Sequence, residues 1–354
     1  MALPIPVVSS DATLRHVPAG EVWVGIRTPG TDVPQRAEVI RRATAAAGAP
    51  QRAAERHDDR LLERVHDPAM LHYLATAWER WIDAGFPTAP GQDRVVPYVF
   101  PTAGLLGALP ARVPAAAHAR AGRFCYDTMT LIGPGTWEAA RAAVDVALTA
   151  ADLVVAGEAY AYALCRPPGH HASAVGFGGS CYLNNAAVAV EGLLEGGARR
   201  VAVIDLDAHH GNGTQAVFYH RADVFYGSCH VDPGEGWFPH FVGFADECGE
   251  GAGRGATLNL PLAPGTGDAV WLPAVARLRE AAEEFAADAV VISLGVDSAG
   301  TDPESPLAVS ADGFGEAGAL LAGLGPAVVV QEGGYHLPSL GALVCAFLAG
   351  FTGG

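Results

Sequence analysis

Three short runs rich in valine and isoleucine constrain the fold of this chain most strongly. They are RRVAVIDLD (residues 199–207), DAVVISLGVD (288–297) and GPAVVVQEGG (325–334), and a fourth run, LVVAGEAYAYALCRPPG (153–169), ends as a strand at Pro167. Apolar runs of this kind are typical of strands buried on both faces of a parallel sheet. Helical periodicity lies in residues 136–151, 184–195, 268–287, 312–322 and 340–349. The alternation predicts an α/β fold with a central, mostly parallel, doubly wound sheet flanked by helices.

Length and composition leave room for one large domain or two small ones. Half of the 354 residues are hydrophobic, which allows a sizeable core. Residues 85–123 are rich in proline, alanine and glycine and have weak periodicity. This pattern predicts an insertion or a long surface loop and not a linker between domains.

The charge balance narrows the class of partner. The formal net charge is -16, from 22 basic and 38 acidic residues, which disfavours nucleic-acid binding and favours a cationic ligand. No apolar run is long enough for a membrane span, and residues 1–20 lack the pattern of a signal peptide. The six cysteines are scattered without a CxxC motif, as expected of reduced thiols. We therefore expect a cytoplasmic protein without a membrane or nucleic-acid partner.

Polar side chains gather where the predicted strands end. They are Asp205, Asp207, His209, His210 and Asn212 after the first run, Asp297, Asp302 and Glu304 after the second, Tyr335 after the third, and His170 and His171 after the fourth. The carboxyl ends of parallel strands meet at one edge of the sheet, where ligands bind in α/β folds. Four polar clusters at four strand ends therefore predict one functional site.

The DLDAHH stretch has the chemistry of a zinc site. Asp207 and His209 are two residues apart and can project to the same side of a frayed strand end. Asp297 from another strand end would be a third ligand and would leave the fourth position for water, as catalytic zinc requires. In the simpler alternative, Asp205 and Asp207 only cap a helix that begins near Gly213.

The stretch CRPPGHHASAVG places His170 and His171 side by side behind two prolines. Neither a strand nor a helix points adjacent side chains at one target, but the prolines end regular structure and allow it. Either histidine can act as a general base, and the Tyr335 hydroxyl can stabilise an oxyanion. In the structural alternative, one histidine is buried, the other is exposed, and Tyr335 is an ordinary packed residue.

The motifs RPPGHHA, CYLNNAA, VIDLDAHHGNGTQ, FPHFVGFADECGEGAGRG, SLGVDSAGTDP and QEGGY, in this order, resemble the zinc-dependent histone deacetylase superfamily. The similarity is greatest to its bacterial acetylpolyamine amidohydrolase branch, and VPQRAEVI, RVHDPAML and YDTMTLIGPGTWEAA extend it over nearly the whole chain. The resemblance implies the arginase–deacetylase fold as a single domain over residues 1–354. It also implies one Zn²⁺ held by Asp207, His209 and Asp297.

The resemblance also implies roles for other residues. His171 matches the general base and acid, His170 its electrostatic partner, Asp205 the carboxylate behind His170, Asn212 the partner of His171, and Tyr335 the oxyanion donor. A structural K⁺ would use Asp205, Asp207, His209, Ser228 and Cys229. Phe238 matches an aromatic wall of the substrate tunnel, and Asp127 matches a rim residue that holds substrate amides.

Two positions bear on the substrate within this family. The second aromatic wall of the tunnel is replaced by Ser180, and Phe177 is the nearest aromatic residue able to substitute for it. Glu304 aligns with a glutamate at the tunnel mouth that binds a distal ammonium in polyamine-selective deacetylases. A plain surface acid is the alternative for Glu304.

The sequence therefore predicts a zinc-dependent amidohydrolase that removes an acetyl or other acyl group from a primary amine. The substrate we expect is an acetylpolyamine or a related small cationic amine. The alternatives are a protein acetyl-lysine deacetylase, a deacylase of a secondary-metabolite amide, and a binding protein that has lost catalysis. By analogy with the amidohydrolase branch, the insertion at 85–123 predicts a homodimer.

Overall fold

The computed structural model describes residues 3–353. Within this range ten strands cover Val7–Ser9 (β1), Glu21–Trp23 (β2), Ile26–Thr28 (β3), Gln51–Ala53 (β4), Tyr160–Ala163 (β5), Val201–Asp205 (β6), Val224–Val231 (β7), Thr257–Leu262 (β8), Ala289–Leu294 (β9) and Ala327–Gln331 (β10). The α-helices of the same range are Gln35–Ala46 (α1), Leu62–Val65 (α2), Pro68–Asp83 (α3), Ala103–Leu106 (α4), Ala117–Phe124 (α5), Thr136–Val155 (α6), Asn185–Glu195 (α7), Asn212–Phe218 (α8), Asp268–Phe285 (α9), Ala311–Leu321 (α10) and Leu337–Phe351 (α11).

Eight of the strands form one sheet in the order β4-β1-β5-β10-β9-β6-β7-β8. Every pairing in this sheet is parallel, so the predicted α/β class is confirmed. Side chains alternate between two apolar layers. Val203 packs into the layer that contains α6 and α7, and Ile204 packs into the layer that contains α9, α10 and α11. Burial on both faces explains why these strands read as unbroken apolar runs.

The predicted elements appear with shifted ends. The run 153–169 contains a strand only at Tyr160–Ala163, because Leu153–Val155 form the last turn of α6. The prediction that this strand extends to Pro167 was therefore wrong. Residues 85–123 contain α4 and most of α5, and Val95 forms a bridge to Ile132. That residues 1–354 form one domain with an insertion at 85–123 stays a prediction, and its residues 1, 2 and 354 lie outside the described range.

The strand order brings the predicted polar clusters together. β5, β10, β9 and β6 are consecutive neighbours, so the segments that follow them leave the same edge of the sheet side by side. No helix in the described part of the chain is both long and apolar enough to cross a membrane.

His66 joins two segments beside this edge. Its Nδ1–H donates to the Ser173 carbonyl at 2.9 Å, and its Nε2 accepts from the Asn184 amide at 2.9 Å. This pattern needs a neutral imidazole, and burial lowers the pKa of His66 to about 4. Burial also lowers the pKa values of His16 and His230 to about 4.

We predict that the free energy of unfolding falls as the pH is lowered from about 6.5 to 4. The unfolded chain binds a proton at each of these histidines near pH 6.5, whereas the folded chain does not until about pH 4. Each fully buried histidine can contribute up to about 3 kcal/mol to this loss. Urea unfolding at a series of pH values measures it. His66→Gln should reduce the pH dependence, whereas His72→Gln on the exposed face of α3 should leave it unchanged.

Candidate active site

A tight turn presents the two adjacent histidines. The Ala172 amide donates to the Gly169 carbonyl at 2.9 Å, which makes His170 and His171 the two central residues of a turn. Their ring centroids lie 4.0 Å apart. Gly169 packs so closely that a Cβ there would lie 2.5 Å from the Asn185 amide nitrogen. The turn therefore points both rings at the same edge of the sheet, as the sequence predicted.

Two carboxylates hold His170 as a cation. Its Nδ1 lies 3.0 Å from Asp205 Oδ2, and its Nε2 lies 3.8 Å from Asp207 Oδ1. Burial opposes the charged form, but the charges of Asp207 and Asp205 outweigh it and raise the pKa of His170 to about 10. The Tyr226 hydroxyl donates to the same Asp205 oxygen at 3.2 Å and fixes that carboxylate.

His171 is held in the neutral form. Its Nδ1 lies 2.7 Å from Asn212 Oδ1, and the Asn212 amide group donates to the Tyr126 hydroxyl at 3.3 Å. Because the carboxamide oxygen can only accept, Nδ1 carries the proton and Nε2 keeps a free lone pair. Burial, together with the positive charge of His170, lowers the pKa of His171 well below its usual value. His171 therefore has the protonation state of a general base.

Asp207, His209 and Asp297 form a candidate metal centre. One ligand atom from each lies within 4.8 Å of the others. His209 Nδ1 is 3.0 Å from Asp297 Oδ2 and 3.3 Å from Asp207 Oδ1. Backbone amides hold both carboxylates, since Gly333 N donates to Asp207 at 2.8 Å and Ala208 N donates to Asp297 at 2.9 Å.

The donor set fits a zinc ion. Asp207 and Asp297 are almost fully buried, and within residues 3–353 neither pairs with an arginine or a lysine. Despite burial, hydrogen bonds with these two carboxylates raise the pKa of His209 well above its usual value, so this pocket demands a positive charge. A divalent cation supplies it, and two carboxylate oxygens with one imidazole nitrogen are ligands that zinc accepts. The helix-cap alternative does not hold, because Gly211 is the N-cap of α8.

Glu332 is a functional residue that the sequence analysis missed. Its Oε2 accepts from the amides of Gly169 at 2.7 Å and His170 at 3.2 Å, which anchors the backbone of the histidine turn. It lies close to His170 and Cys181, but burial raises the pKa of the Cys181 thiol well above its usual value. A neutral thiol is a poor metal ligand, so this cluster is an anchor. The QEGGY motif contained Glu332, but nothing in the sequence showed where its carboxylate points.

Tyr335 follows β10 and lines the same cavity as His209 of the metal centre. Arg36 donates to the Gly334 carbonyl and to the Glu332 carbonyl, both at 2.6 Å, and its Cζ lies 4.5 Å from the centre of the Tyr335 ring. Burial raises the pKa of Tyr335 well above 10, so its hydroxyl keeps the proton and can donate a hydrogen bond.

These groups open into one cavity of about 670 Å³. Its wall includes His171, His209, Tyr335, Phe238, Gly179, Ser180, Met129, Thr31, Glu21, Glu304, Trp23, Trp237 and His240. Phe238, Ser180 and Glu304, three of the predicted binding residues, lie in this wall, and their role in substrate binding stays a prediction.

Two predicted binding residues lie elsewhere. Phe177 is fully buried and stacks at 6.2 Å on Tyr73, because the core between α3 and the histidine segment takes up its ring. It therefore does not replace the aromatic wall missing at Ser180. The Asp127 carboxylate does not line the cavity. It accepts from the Gly179 amide at 2.6 Å, and from the amides of Met129 and Thr130 at 2.9 Å each, so it holds the loop that carries Ser180.

The cavity also contains an acid that the sequence analysis overlooked. Glu21 belongs to the β2–β3 hairpin and accepts from the Thr31 amide at 3.2 Å. Burial and the nearby Glu304 carboxylate raise the pKa of Glu21 to about 7. A short hairpin far from the motifs has no sequence signal that connects it to strand ends more than a hundred residues away.

Two of the predicted K⁺ ligands, Asp205 and Ser228, are neighbours across two paired strands. Ser228 pairs with Asp205 in the β6–β7 register, and Cys229 follows it. His230 Nε2 donates to the Gly243 carbonyl, so its Nδ1 accepts from the Ser228 hydroxyl at 2.8 Å, and the lone pairs of that hydroxyl oxygen remain available to a cation. A cation at this position stays a prediction.

A parallel α/β sheet with an Asp-His-Asp centre and a histidine pair at its carboxyl edge defines a class of metal-dependent enzymes. The sequence model of the histone deacetylase domain matches residues 31–351. The chain is 41% identical to the acetylpolyamine amidohydrolase of Mycoplana ramosa, over 98% of this chain and 99% of that one. It is 40% identical to acetylpolyamine amidohydrolase 1 of Pseudomonas aeruginosa, over 98% of each.

The fold has a similar neighbour among solved structures. The crystal structure of the acetylpolyamine aminohydrolase from Burkholderia pseudomallei superposes with a TM-score of 0.91 at 38% identity, and 98% of each chain is covered. This chain therefore belongs to the histone deacetylase family, and the resemblance read from its motifs is confirmed.

We predict that Asp297→Ala weakens zinc binding at least about 100-fold. The substitution removes one of three donors and leaves the Ala208 amide without its partner. Loss of a group that only supports a ligand already costs about 10- to 100-fold in metal affinity, so loss of a ligand should cost more. A chelator-competition titration measures the affinity. Asp288→Asn, at the opposite edge of the sheet, is the control, and unchanged zinc affinity in Asp297→Ala would contradict the assignment.

Proposed function

We propose that this chain is a zinc-dependent amidohydrolase that removes the acetyl group from acetylated polyamines and related small cationic amines. The observation that carries the proposal is the histidine pair. His170 Nδ1 pairs with Asp205, His171 Nδ1 pairs with Asn212, and His171 lines the same cavity as Tyr335 and His209 of the Asp207–His209–Asp297 centre. A base, a positive charge and a hydroxyl donor around one metal centre are the parts that amide hydrolysis needs.

The metal supplies Lewis-acid chemistry. Bound by Asp207, His209 and Asp297, a zinc ion would polarise the amide carbonyl and lower the pKa of water. The protein supplies the rest. His171 Nε2 accepts a proton from the attacking water, since its Nδ1–H is committed to Asn212. The Tyr335 hydroxyl then donates to the oxyanion that develops on the carbonyl oxygen.

Collapse of the tetrahedral intermediate requires a proton for the leaving amine. His171 holds the proton taken from water and is positioned to return it to the amine nitrogen. His170 stays cationic between Asp205 and Asp207 and stabilises the negative charge of the reacting group. The pair therefore divides the work by protonation state, with His171 moving the proton and His170 supplying charge.

The cavity favours a cationic amine. Glu21 and Glu304 both line it, and neither forms an ion pair within residues 3–353. Trp23, which is 61% exposed, lines the same cavity and offers an aromatic face to an ammonium group. The net charge of -16 further favours such a ligand. The named acetylpolyamine amidohydrolases that resemble the chain over their whole length support the same substrate class.

The cavity also supports an alternative substrate. Ser180 leaves one side of the cavity, whose volume is about 670 Å³, without a large side chain, which favours an amine bulkier than a linear one. An acylated secondary metabolite is therefore the second candidate. A protein acetyl-lysine deacetylase would use the same catalytic residues but has no need for Glu21 and Glu304.

We also propose a structural K⁺ bound by Asp205, Asp207, His209, Ser228 and Cys229, and a homodimer formed through residues 85–123. The dimer is supported by large apolar side chains that this segment exposes, with Tyr98 at 71%, Leu105 at 64% and Leu109 at 73%. Apolar patches of this kind are typical of protein interfaces. A cytoplasmic location remains a prediction from the sequence.

Side-by-side turnover tests the substrate class. With the zinc-loaded enzyme we expect kcat/KM for N-acetylputrescine to exceed that for N-acetylbutylamine, its uncharged analogue, by at least about tenfold, because a paired ammonium contributes about 1.4 kcal/mol or more. An acetyl-lysine peptide should be turned over more slowly than N-acetylputrescine. A faster peptide would favour protein deacetylation, and no turnover of any of the three would contradict the function itself.

A substitution at Gly179 tests the geometry of His171. Gly179 has φ +57°, and a Cβ there would lie 2.3 Å from His171 Cδ2 and 2.9 Å from Phe238 Cε1. Gly179→Ala should therefore lower kcat by about 100-fold, since a misplacement of about 1 Å can cost that much. Gly107→Ala is a matched control, because Gly107 has the same φ of +57° and no heavy atom within 4 Å of a Cβ. Equal activity in the two variants would show that the contact with His171 does not matter.

A further inference from the structure

Asp302 lies outside the cavity but contacts the backbone of two loops that line it. Its Oδ2 accepts from the Tyr335 amide at 2.6 Å and from the His336 amide at 3.1 Å. Its Oδ1 accepts from the Glu304 amide at 3.1 Å. The side chain is buried, with 8% exposure, and within residues 3–353 it forms no ion pair. One carboxylate therefore satisfies three backbone donors, which makes these hydrogen bonds charge-assisted and strong.

We propose that Asp302 is the positioning residue for Tyr335. The inference rests on the proposed function, because it assumes that the Tyr335 hydroxyl is the oxyanion donor. Gly333 and Gly334 precede Tyr335, and Gly334 has φ +122°, a conformation that only glycine adopts readily. Two consecutive glycines make the backbone before Tyr335 flexible, and this flexibility would let the Tyr335 hydroxyl take several positions. The hydrogen bond to Asp302 removes that freedom on the side of Tyr335 away from Arg36.

The same carboxylate ties Tyr335 to the loop that carries Glu304. Arg36 fixes the other side of this segment, through its hydrogen bond to the Gly334 carbonyl at 2.6 Å and its contact with the Tyr335 ring. The peptide group between Gly334 and Tyr335 is therefore held at its carbonyl by Arg36 and at its amide by Asp302. Asp302 therefore anchors both Glu304, which would meet the amine of the substrate, and Tyr335, which would donate to its carbonyl oxygen.

A purely structural reading of Asp302 is the alternative. His336 is the N-cap of α11, so the carboxylate also supports the first turn of that helix. If that were its whole role, loss of Asp302 would reduce stability, and any loss of activity would be the same whether or not the Tyr335 hydroxyl is present. The two readings therefore differ in how Asp302 and Tyr335 combine.

A double-mutant cycle with Asp302→Asn and Tyr335→Phe separates them, with kcat on N-acetylputrescine as the readout. Tyr335→Phe should cost at least about 100-fold, as expected for a lost oxyanion donor. Asp302→Asn should cost about tenfold or more in the wild-type background, since it places an amide N–H against backbone donors. In the Tyr335→Phe background the same substitution should cost about twofold or less, because residues that act as a unit are not additive.

Control variants keep the outcome decisive. Asp288→Asn should retain wild-type kcat, although Asp288 also accepts from two consecutive backbone amides, those of Arg199 at 2.9 Å and Arg200 at 3.0 Å. Asp302→Ser has a side chain too short to reach the Tyr335 amide, so it should lose at least as much activity as Asp302→Asn. It also serves if Asp302→Asn does not fold. Melting temperature and zinc content are measured for each protein.

The possible results distinguish a failure of the positioning role of Asp302 from a failure of the proposed role of Tyr335. An equal loss from Asp302→Asn in both backgrounds would overturn the positioning role and leave the helix-support reading. Wild-type kcat in Asp302→Asn, with Tyr335→Phe strongly impaired, would overturn only the role of Asp302. Wild-type kcat in Tyr335→Phe would instead remove the oxyanion donor from the proposed function.

Discussion

Buried negative charge at the carboxyl edge of the sheet decides how this site is built. Asp205 ends β6, Asp207 and Asp297 follow β6 and β9, and all three are almost fully removed from solvent. Carboxylates in such a setting are costly unless they are paired or hydrogen-bonded. His170 lies between Asp205 and Asp207, and a backbone amide donates to each of the three carboxylates. The negative charge that remains uncompensated lies on Asp207 and Asp297 beside His209, where a divalent ion would fit.

This charge arrangement also explains why two adjacent histidines differ. His170 lies between two carboxylates that raise its pKa, whereas His171 Nδ1 pairs with the neutral carboxamide of Asn212, and burial and the positive charge of His170 lower the pKa of His171. The difference requires no difference in burial, because both rings are buried. One base and one fixed positive charge therefore arise from a single turn of the chain, which Glu332 anchors from below.

The sequence predicted the parts of the site that lie directly at strand ends. Asp207, His209 and Asp297 could be placed because apolar runs mark buried parallel strands and those strands end at a common edge. Phe177 was misplaced because its environment depends on packing against a segment that is distant in the sequence, and the role of Asp127 at the rim stays a prediction. Ring contacts with Tyr73 in α3 bury Phe177, and three loop amides take up the Asp127 carboxylate. Glu21 and Glu332 escaped notice for the same reason, since no local pattern shows which way an isolated glutamate points.

Chemistry and recognition therefore depend on different parts of the fold. The residues that would hold the metal and move the proton follow central strands of the sheet, which are buried on both faces. The residues that would meet the amine, Glu21, Trp23 and Glu304, lie on a two-stranded hairpin and a surface loop. Changes such as Ser180 can reshape the cavity without disturbing the charge balance at the strand ends. Asp302 is the exception, because it joins the Glu304 loop to Tyr335, and there a change that alters recognition must also alter catalysis.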